Sequence, residues 1–497
     1  MRFLLKLNID ELRGSQMTEK PKDLKQRTET AAAGAEHGDF STGSVYSQIL
    51  SLAGPIIIAQ LVQLLYNIVD RIYIGHLPGA SSLALTGLGL TFPVITIIFA
   101  FTNLFGTGGT PLFSIARGSG DKERAELIQG NSFALLCVTS IILMIFCYAF
   151  LKPMLYMFGA SDASFPYARD YLTIYLIGTP LVMIATGMNG FINAQGFPWI
   201  GMVTVLAGAV TNIILDPVFI FVFGMGVAGA ATASVISQLL SALWALRFFR
   251  GPKTTYKITK ESMQLDRQID AQIAQLGTAG FIMQATNGAV QIACNATLLS
   301  AGGDIYVGIM TVLTSLRDLS SLPMQGLGSA AQPVIGYNYG AGKHDRITRS
   351  IVFMTVINVI FGLIVWLVLF LFPKQMMQIF NSDPELLAKG TPALHLYFFG
   401  FFMMAFQAFG QSIFVGLGLS KQAVFFSLFR KIIIVVPLTL ILPHVMNLGV
   451  NGVFIAEPIS NLVGGLACYL TMMVTVRKLL KEPDCEMTGA ENNSRKK

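Results

Sequence analysis

Two acids and their neighbours are the groups here whose type and spacing permit chemistry inside a membrane. Asp70 lies late in an apolar run and follows Gln60, Gln63 and Asn67 at spacings of 3, 4 and 3, which set all four on one helical face. Asp216 stands in Asn212-Ile-Ile-Leu-Asp216-Pro217. Asn212 lies one turn earlier on the same face and adds a neutral oxygen. Pro217 removes a backbone donor and loosens the helix, which frees the Ile213 carbonyl as a ligand or permits bending. A lone ionised carboxylate at mid-membrane costs roughly 2.5–3.5 kcal/mol on insertion scales, so its presence points to something bound. Two carboxylates brought close in a poorly hydrated lobe cannot both ionise cheaply, and a proton or a cation settles between them. The plainer reading makes each acid a solvated residue at a helix end, with Asp70 paired to Arg71.

The second half of the chain carries a related but not identical set. Gln284, Asn287, Gln291 and Cys294 repeat the spacing of the first stripe, with Cys294 where Asp70 would be. Ser234, with Thr232 nearby, has Glu457 as its counterpart. Polar groups at lipid depth are costly unless they face protein or water, so both stripes are expected to line an interior cavity; packing glue between helices is the alternative. Asn189, Gln407 and Gln411 are further polar candidates for that cavity. Met183, Met188, Met403 and Met404, with Phe191 and Phe406, read as core packing or as a soft binding wall. Arg430 and Lys431 are expected to pair with Glu457 or face a polar cavity, and Arg317-Asp318 reads as a local ion pair or as substrate contacts.

The elements that must position these residues follow from composition. Of 497 residues, 53% are hydrophobic and only 12% charged, about half the charge of an ordinary soluble domain. A soluble surface cannot be built from that, and disordered and disulfide-rich classes are excluded on the same ground. Twelve apolar runs are each long enough to cross a bilayer as a helix. They fall near 48–74, 84–112, 125–151, 166–190, 199–223, 226–249, 269–300, 305–337, 347–372, 391–416, 422–443 and 449–476. Residues 1–44 read as a flexible tail with at most a short interfacial helix over 1–12. Residues 251–268 read as a polar, basic linker, and 481–497 as a second tail. With both termini placed in the cytoplasm, most of the 34 Lys and Arg residues fall on the inner side, as topology rules require. The net charge of +7 then reflects basic loops, not nucleic-acid binding.

The chain also repeats itself at an offset of about 222 residues. Gly106-Thr-Gly-Gly-Thr aligns with Gly326-Leu-Gly-Ser-Ala, Gly196 with Gly418, and Gly226-Val-Ala-Gly229 with Gly449-Val-Asn-Gly452. The fold expected is all-α: twelve transmembrane helices in two six-helix lobes, 45–250 and 269–480, related by a pseudo-two-fold axis along the membrane normal. Two bundles rocking about a site between them suit alternating access. There is no P-loop, HExxH or GxSxG, and the five histidines are scattered, so neither ATP use nor catalysis is expected. The five cysteines form no CxxC pair and imply neither metal nor disulfide.

Several strings taken in order resemble the multidrug and toxic compound extrusion (MATE) family of secondary transporters, over nearly all of residues 45–480. They are Ala53-Gly-Pro55, Tyr66-Asn-Ile-Val-Asp70-Arg-Ile-Tyr-Ile-Gly75, Asn212 through Pro217, Gly226-Val-Ala-Gly-Ala-Ala, Gln332-Pro-Val-Ile-Gly-Tyr-Asn-Tyr-Gly-Ala-Gly342 and Ala456-Glu-Pro458. The resemblance implies export of cationic, amphipathic drugs in exchange for protons or sodium ions across a bacterial inner membrane. Asp70, Asn212 and Asp216 match the family's N-lobe coupling residues, and Ser234 or Thr232 matches a threonine that helps form that site. The acid that one branch carries in its seventh helix is replaced here by Gln284, Asn287 and Gln291. No cofactor beyond the coupling ion and no nucleic-acid partner is implied, and a monomer is expected. A flippase for lipid-linked sugars, on a related two-lobe plan, is the alternative; it would want a strongly cationic cavity, for which Arg317, Arg430 and Lys431 are the material.

Overall fold

The structure is a computed structural model that describes residues 39–75, 77, 81–380, 383–445 and 448–480. The tail residues 1–38 and 481–497, and with them the possible helix over 1–12 and Cys485, lie outside the described residues. Twelve spanning segments run through the rest. They are α1 (Val45–Gly75), α2 (Ser81–Gly118), α3 (Lys122–Ala149), α4 (Phe165–Ile177 and Thr179–Ala194), α5 (Pro198–Pro217, prolonged by Val218–Val222) and α6 (Val227–Arg250). Then come α7 (Arg267–Gly302), α8 (Asp304–Gly340), α9 (His344–Leu371), α10 (Pro384–Tyr397 and Phe401–Gly416), α11 (Ser420–Ile441) and α12 (Val450–Leu479). No strand occurs among the described residues.

Eight of these helices are long and apolar enough to cross a membrane singly, and the broken α4 and α10 bring the number to ten. The other two, α7 and α8, have the length but carry the polar stripe and the Arg317-Asp318 pair. Their polar faces are turned inward, so a hydropathy window undercounts them. The breaks have local causes. Pro180 in the first turn after Gly178 has no N–H to continue the ladder, and α4 bends by 57°. In α10, Gly400 adopts φ 71° and the chain turns by 43°.

The duplication is visible in backbone detail. Short helices at Leu151–Met157 and Pro373–Gln378 occupy matching places in the two halves. Gly226 and Gly449, which open α6 and α12, share one unusual conformation, φ 57° with ψ −130° and φ 51° with ψ −133°. A side chain there would be strained.

The lobes meet most closely at the end that carries the 251–266 linker. That linker is tied to the N-lobe by buried amides: Gln129 donates to the Tyr256 carbonyl and Asn131 to those of Ser262 and Gln264. Residues 39–44, expected as part of a flexible tail, instead form a strap over the same end. Arg346 gathers the carbonyls of Phe40, Thr42 and Gly43, and Asn338 and Lys343 donate to those of Phe40 and Ser41. Arg117 of the N-lobe lies over the rings of Phe40 and Tyr337. Burial pushes the Asp39 carboxyl up, but hydrogen bonds from Ser41, Thr42 and Tyr337 outweigh this and hold it below the usual carboxylate range. The strap is therefore fully held above that range and loosens as pH falls through the depressed value.

Glycines let the lobes touch backbone to backbone. A Cβ added at Gly277 of α7 would lie 1.7 Å from the Leu104 carbonyl oxygen of α2, and one at Gly340 of α8 would lie 2.0 Å from that of Ile115. Gly277→Ala and Gly340→Ala should push the lobes apart at this end. Spin labels at positions 123 and 345, compared with and without the alanines, should show the distance population lengthened by several ångströms. An unchanged distribution would mean that the contact does not hold this state.

Candidate functional site

α1 and α5 pack along each other in the N-lobe, which brings the two sequence-distant acids together. Asp70 is 9% exposed and Asp216 fully buried, so neither is a solvated helix-end residue. They lie close enough for each to act on the other's charge, and both act on Tyr66. Asn212 donates to Asp216 Oδ1 at 3.1 Å and to Ser234 Oγ at 3.4 Å. Asp216 Oδ2 and Asn212 Oδ1 have no hydrogen-bond partner among the described residues. Unsatisfied buried oxygens are costly, and here they mark a place where a proton or a hard cation would be held. A π-helical turn, Val218–Val222, follows Pro217 directly; such turns interrupt the regular ladder and are frequent at functional sites.

A cavity of about 170 Å³ opens beside this group. Gln63, Tyr66, Asp70, Asn212 and Ser234 line it, together with Tyr171, Tyr175 and Gln238. Asp216 touches it through Asn212 and not directly. Tyr171 and Tyr175, one turn apart and stacked with centroids 5.7 Å apart, close one side. Ser234 and Gln238 line the same cavity as these two rings. These tyrosines and Gln238 were not anticipated, although the Tyr-x-x-x-Tyr and Ser234-x-x-x-Gln238 spacings are the signal that would have found them.

The second cavity, about 360 Å³, lies in the C-lobe against Asn103 and Thr107 of α2. Gln284, Asn287 and Gln291 of α7 and Gln407 and Gln411 of α10 line it, as does Met404. Glu457 and Arg430 face it as a buried ion pair. Arg317 lies 4.0 Å from Glu457, 3.1 Å from Asp318 and within a 3.0 Å hydrogen bond of the Tyr397 hydroxyl.

Other candidates sit elsewhere. Met183 is fully buried in the N-lobe core with Met188 and Phe191, because that face of α4 packs on its own bundle. The Asn189 side chain donates to the Gly201 carbonyl, tying α4 to α5, and lines neither cavity. Thr232 bonds back to the Ala228 carbonyl one turn earlier, so of the two hydroxyls only Ser234 reaches Asn212. Gln60 lies beside Gly326 at the lobe junction. The side chain of Asn67 is outside the described residues. Phe406 packs edge-on against Tyr469.

The family model MatE matches residues 55–218 and 281–441, one stretch in each half. The multidrug export protein MepA of Staphylococcus saprophyticus is 24% identical over 438 residues, covering 87% of this chain and 95% of that protein. The protein of the same name from Staphylococcus haemolyticus is 26% identical over 352 residues, covering 71% and 77%. Among solved structures, an outward-facing multidrug resistance MATE family transporter aligns with a TM-score of 0.84 at 25% identity, over 90% of this chain and 99% of that one. With the model matched in both lobes and the two-lobe helical architecture shared, this multi-pass membrane protein belongs to the MatE family.

Proposed function

We propose that this chain is a secondary active multidrug exporter of a bacterial inner membrane, which expels amphipathic, cationic compounds in exchange for a proton or a sodium ion. The observation that carries this reading is the buried Asp70–Asn212–Asp216 group, with two orphaned oxygens, beside a cavity in one lobe only. The names of the relatives support drug export, and nothing among them favours the flippase alternative.

The coupling runs through this chain's own helices. When one acid takes a proton, or both share a cation, the repulsion between them disappears. α5 can respond because Pro217 and the π turn leave its ladder incomplete there. α1 can carry the response further. Its first turns, Val45, Ile49, Leu52 and Ala53, pack in a cluster with C-lobe residues, while Asp70 near its other end sits in the N-lobe. Occupancy at Asp70 thus bears directly on the lobe junction. Each net charge moved inward per cycle across ~100 mV supplies ~2.3 kcal/mol, roughly a 50-fold gradient of substrate; a monocation exchanged one for one moves no net charge and is driven by the ion's concentration gradient alone.

The test is accumulation of ethidium in exporter-deficient bacteria carrying this chain or an empty vector. Several-fold lower accumulation with the chain is expected, reversed by an uncoupler or by removal of sodium. Equal accumulation in the two strains would overturn the reading.

A further inference from the structure

We propose that the C-lobe cavity is an oxyanion site, in which Lys431 receives the singly charged head of an amphipathic molecule. The proposal goes beyond the export reading: it gives this cavity a ligand of its own, opposite in charge to the exported compounds.

Five charged side chains line the cavity: Arg317, Arg430 and Lys431 against Asp318 and Glu457. Both carboxylates are already engaged, Glu457 by Arg430 and, at 4.0 Å, by Arg317, and Asp318 by Arg317 at 3.1 Å. Lys431 is left over. Its ammonium donates to Asn287 Oδ1 and to the Met283 carbonyl, both neutral oxygens, and no carboxylate among the described residues pairs with it. By formal charge the cavity therefore holds one basic group in excess of its acids, at membrane depth, where a cation without a counter-charge is unfavourable unless it faces water or a ligand.

The position of that charge is built, not incidental. Residues Phe429–Val435 form a π-helical turn, and Arg430 and Lys431, consecutive in sequence, both line the cavity. Arg430 is locked on α12 through Glu457, whereas Lys431 crosses to α7 and is held by the Gln284–Asn287 part of its stripe, Asn287 donating in turn to Gln284. Met283, Met310, Met324, Met404, Phe426 and Val435 supply apolar wall around these groups, soft enough to accept varied bodies. The volume of about 360 Å³ suits a small aromatic compound. One excess positive charge matches a monoanion, either a carboxylate from solution or the phosphodiester of a lipid headgroup.

The experiment uses the purified full chain in an uncharged detergent. Binding of 1-pyrenebutyrate is compared with that of its neutral amide, which keeps the shape and removes the charge. The wild type should bind the carboxylate at least tenfold more tightly. Lys431→Met should erase this preference and leave amide binding unchanged, while Lys431→Arg should keep it. Phosphatidylglycerol is then titrated in: competition identifies a lipid headgroup as a source, and absence of competition identifies soluble carboxylates. Equal wild-type affinities for acid and amide would overturn the proposal, as would a preference that survives Lys431→Met. No gradient enters the assay, so its failure leaves the N-lobe coupling reading standing, and lost efflux leaves this one standing.

Discussion

Asp216→Asn is expected to cut dye efflux at least tenfold while the protein folds normally, and Asp70→Asn should do the same. The amide keeps the shape of the carboxyl but cannot exchange a proton or neutralise a cation. The effect should be severe because each variant leaves a single carboxyl, with only the neutral oxygens of Asn212 and Ser234 to complete the site. The stability effect should run the other way. Removing a buried acid that costs roughly 2.5–3.5 kcal/mol in lipid when ionised should leave the melting temperature unchanged or raised. Efflux assays and thermal unfolding on the same preparations separate lost coupling from lost folding. Wild-type efflux in both variants would remove these acids from the mechanism.

Glu457→Gln should instead damage the fold. Glu457 is 6% exposed and its partner Arg430 is 8% exposed; the glutamine strands that guanidinium, with Arg317 4.0 Å from the lost charge. Removing one partner of a buried pair typically costs about 3–5 kcal/mol, whereas replacing both with apolar groups is often close to neutral. Glu457→Gln should therefore lower the unfolding temperature markedly, and Arg430→Met combined with Glu457→Met should recover most of the loss. A single variant as stable as wild type would show that Arg430 finds another counter-charge.

The sequence was most legible where a physical constraint acts on composition. All twelve segments could be placed as apolar runs long enough to cross a bilayer, including α7 and α8, whose polar residues lower the mean hydropathy of any one window. The acid pair was legible because carboxylates at lipid depth are rare and Asn212, Asp216 and Pro217 crowd one turn. Cavity membership was only partly legible. Gln284, Asn287 and Gln291 do face a cavity, but the stripe of α1 divides: Gln63 and Asp70 line the N-lobe cavity and Gln60 goes to the lobe junction. Helical spacing fixes a face, while the neighbour opposite each turn is set by how α1 passes from one lobe to the other. Asn189 shows the same ambiguity, since a polar residue at lipid depth satisfies itself equally well on the Gly201 carbonyl. The strap at 39–44 was not legible at all. It is made by backbone carbonyls that meet Arg346 some 300 residues later, and no local pattern announces such a contact.

The central claim is that the acids of the N-lobe bind the coupling ion. Its most direct test is efflux from proteoliposomes under separately imposed sodium and pH gradients, wild type against Asp216→Asn. The account predicts that at least one gradient accelerates wild-type efflux several-fold and that neither accelerates the variant. Acceleration of the variant by the same gradient, to the same extent, would contradict it.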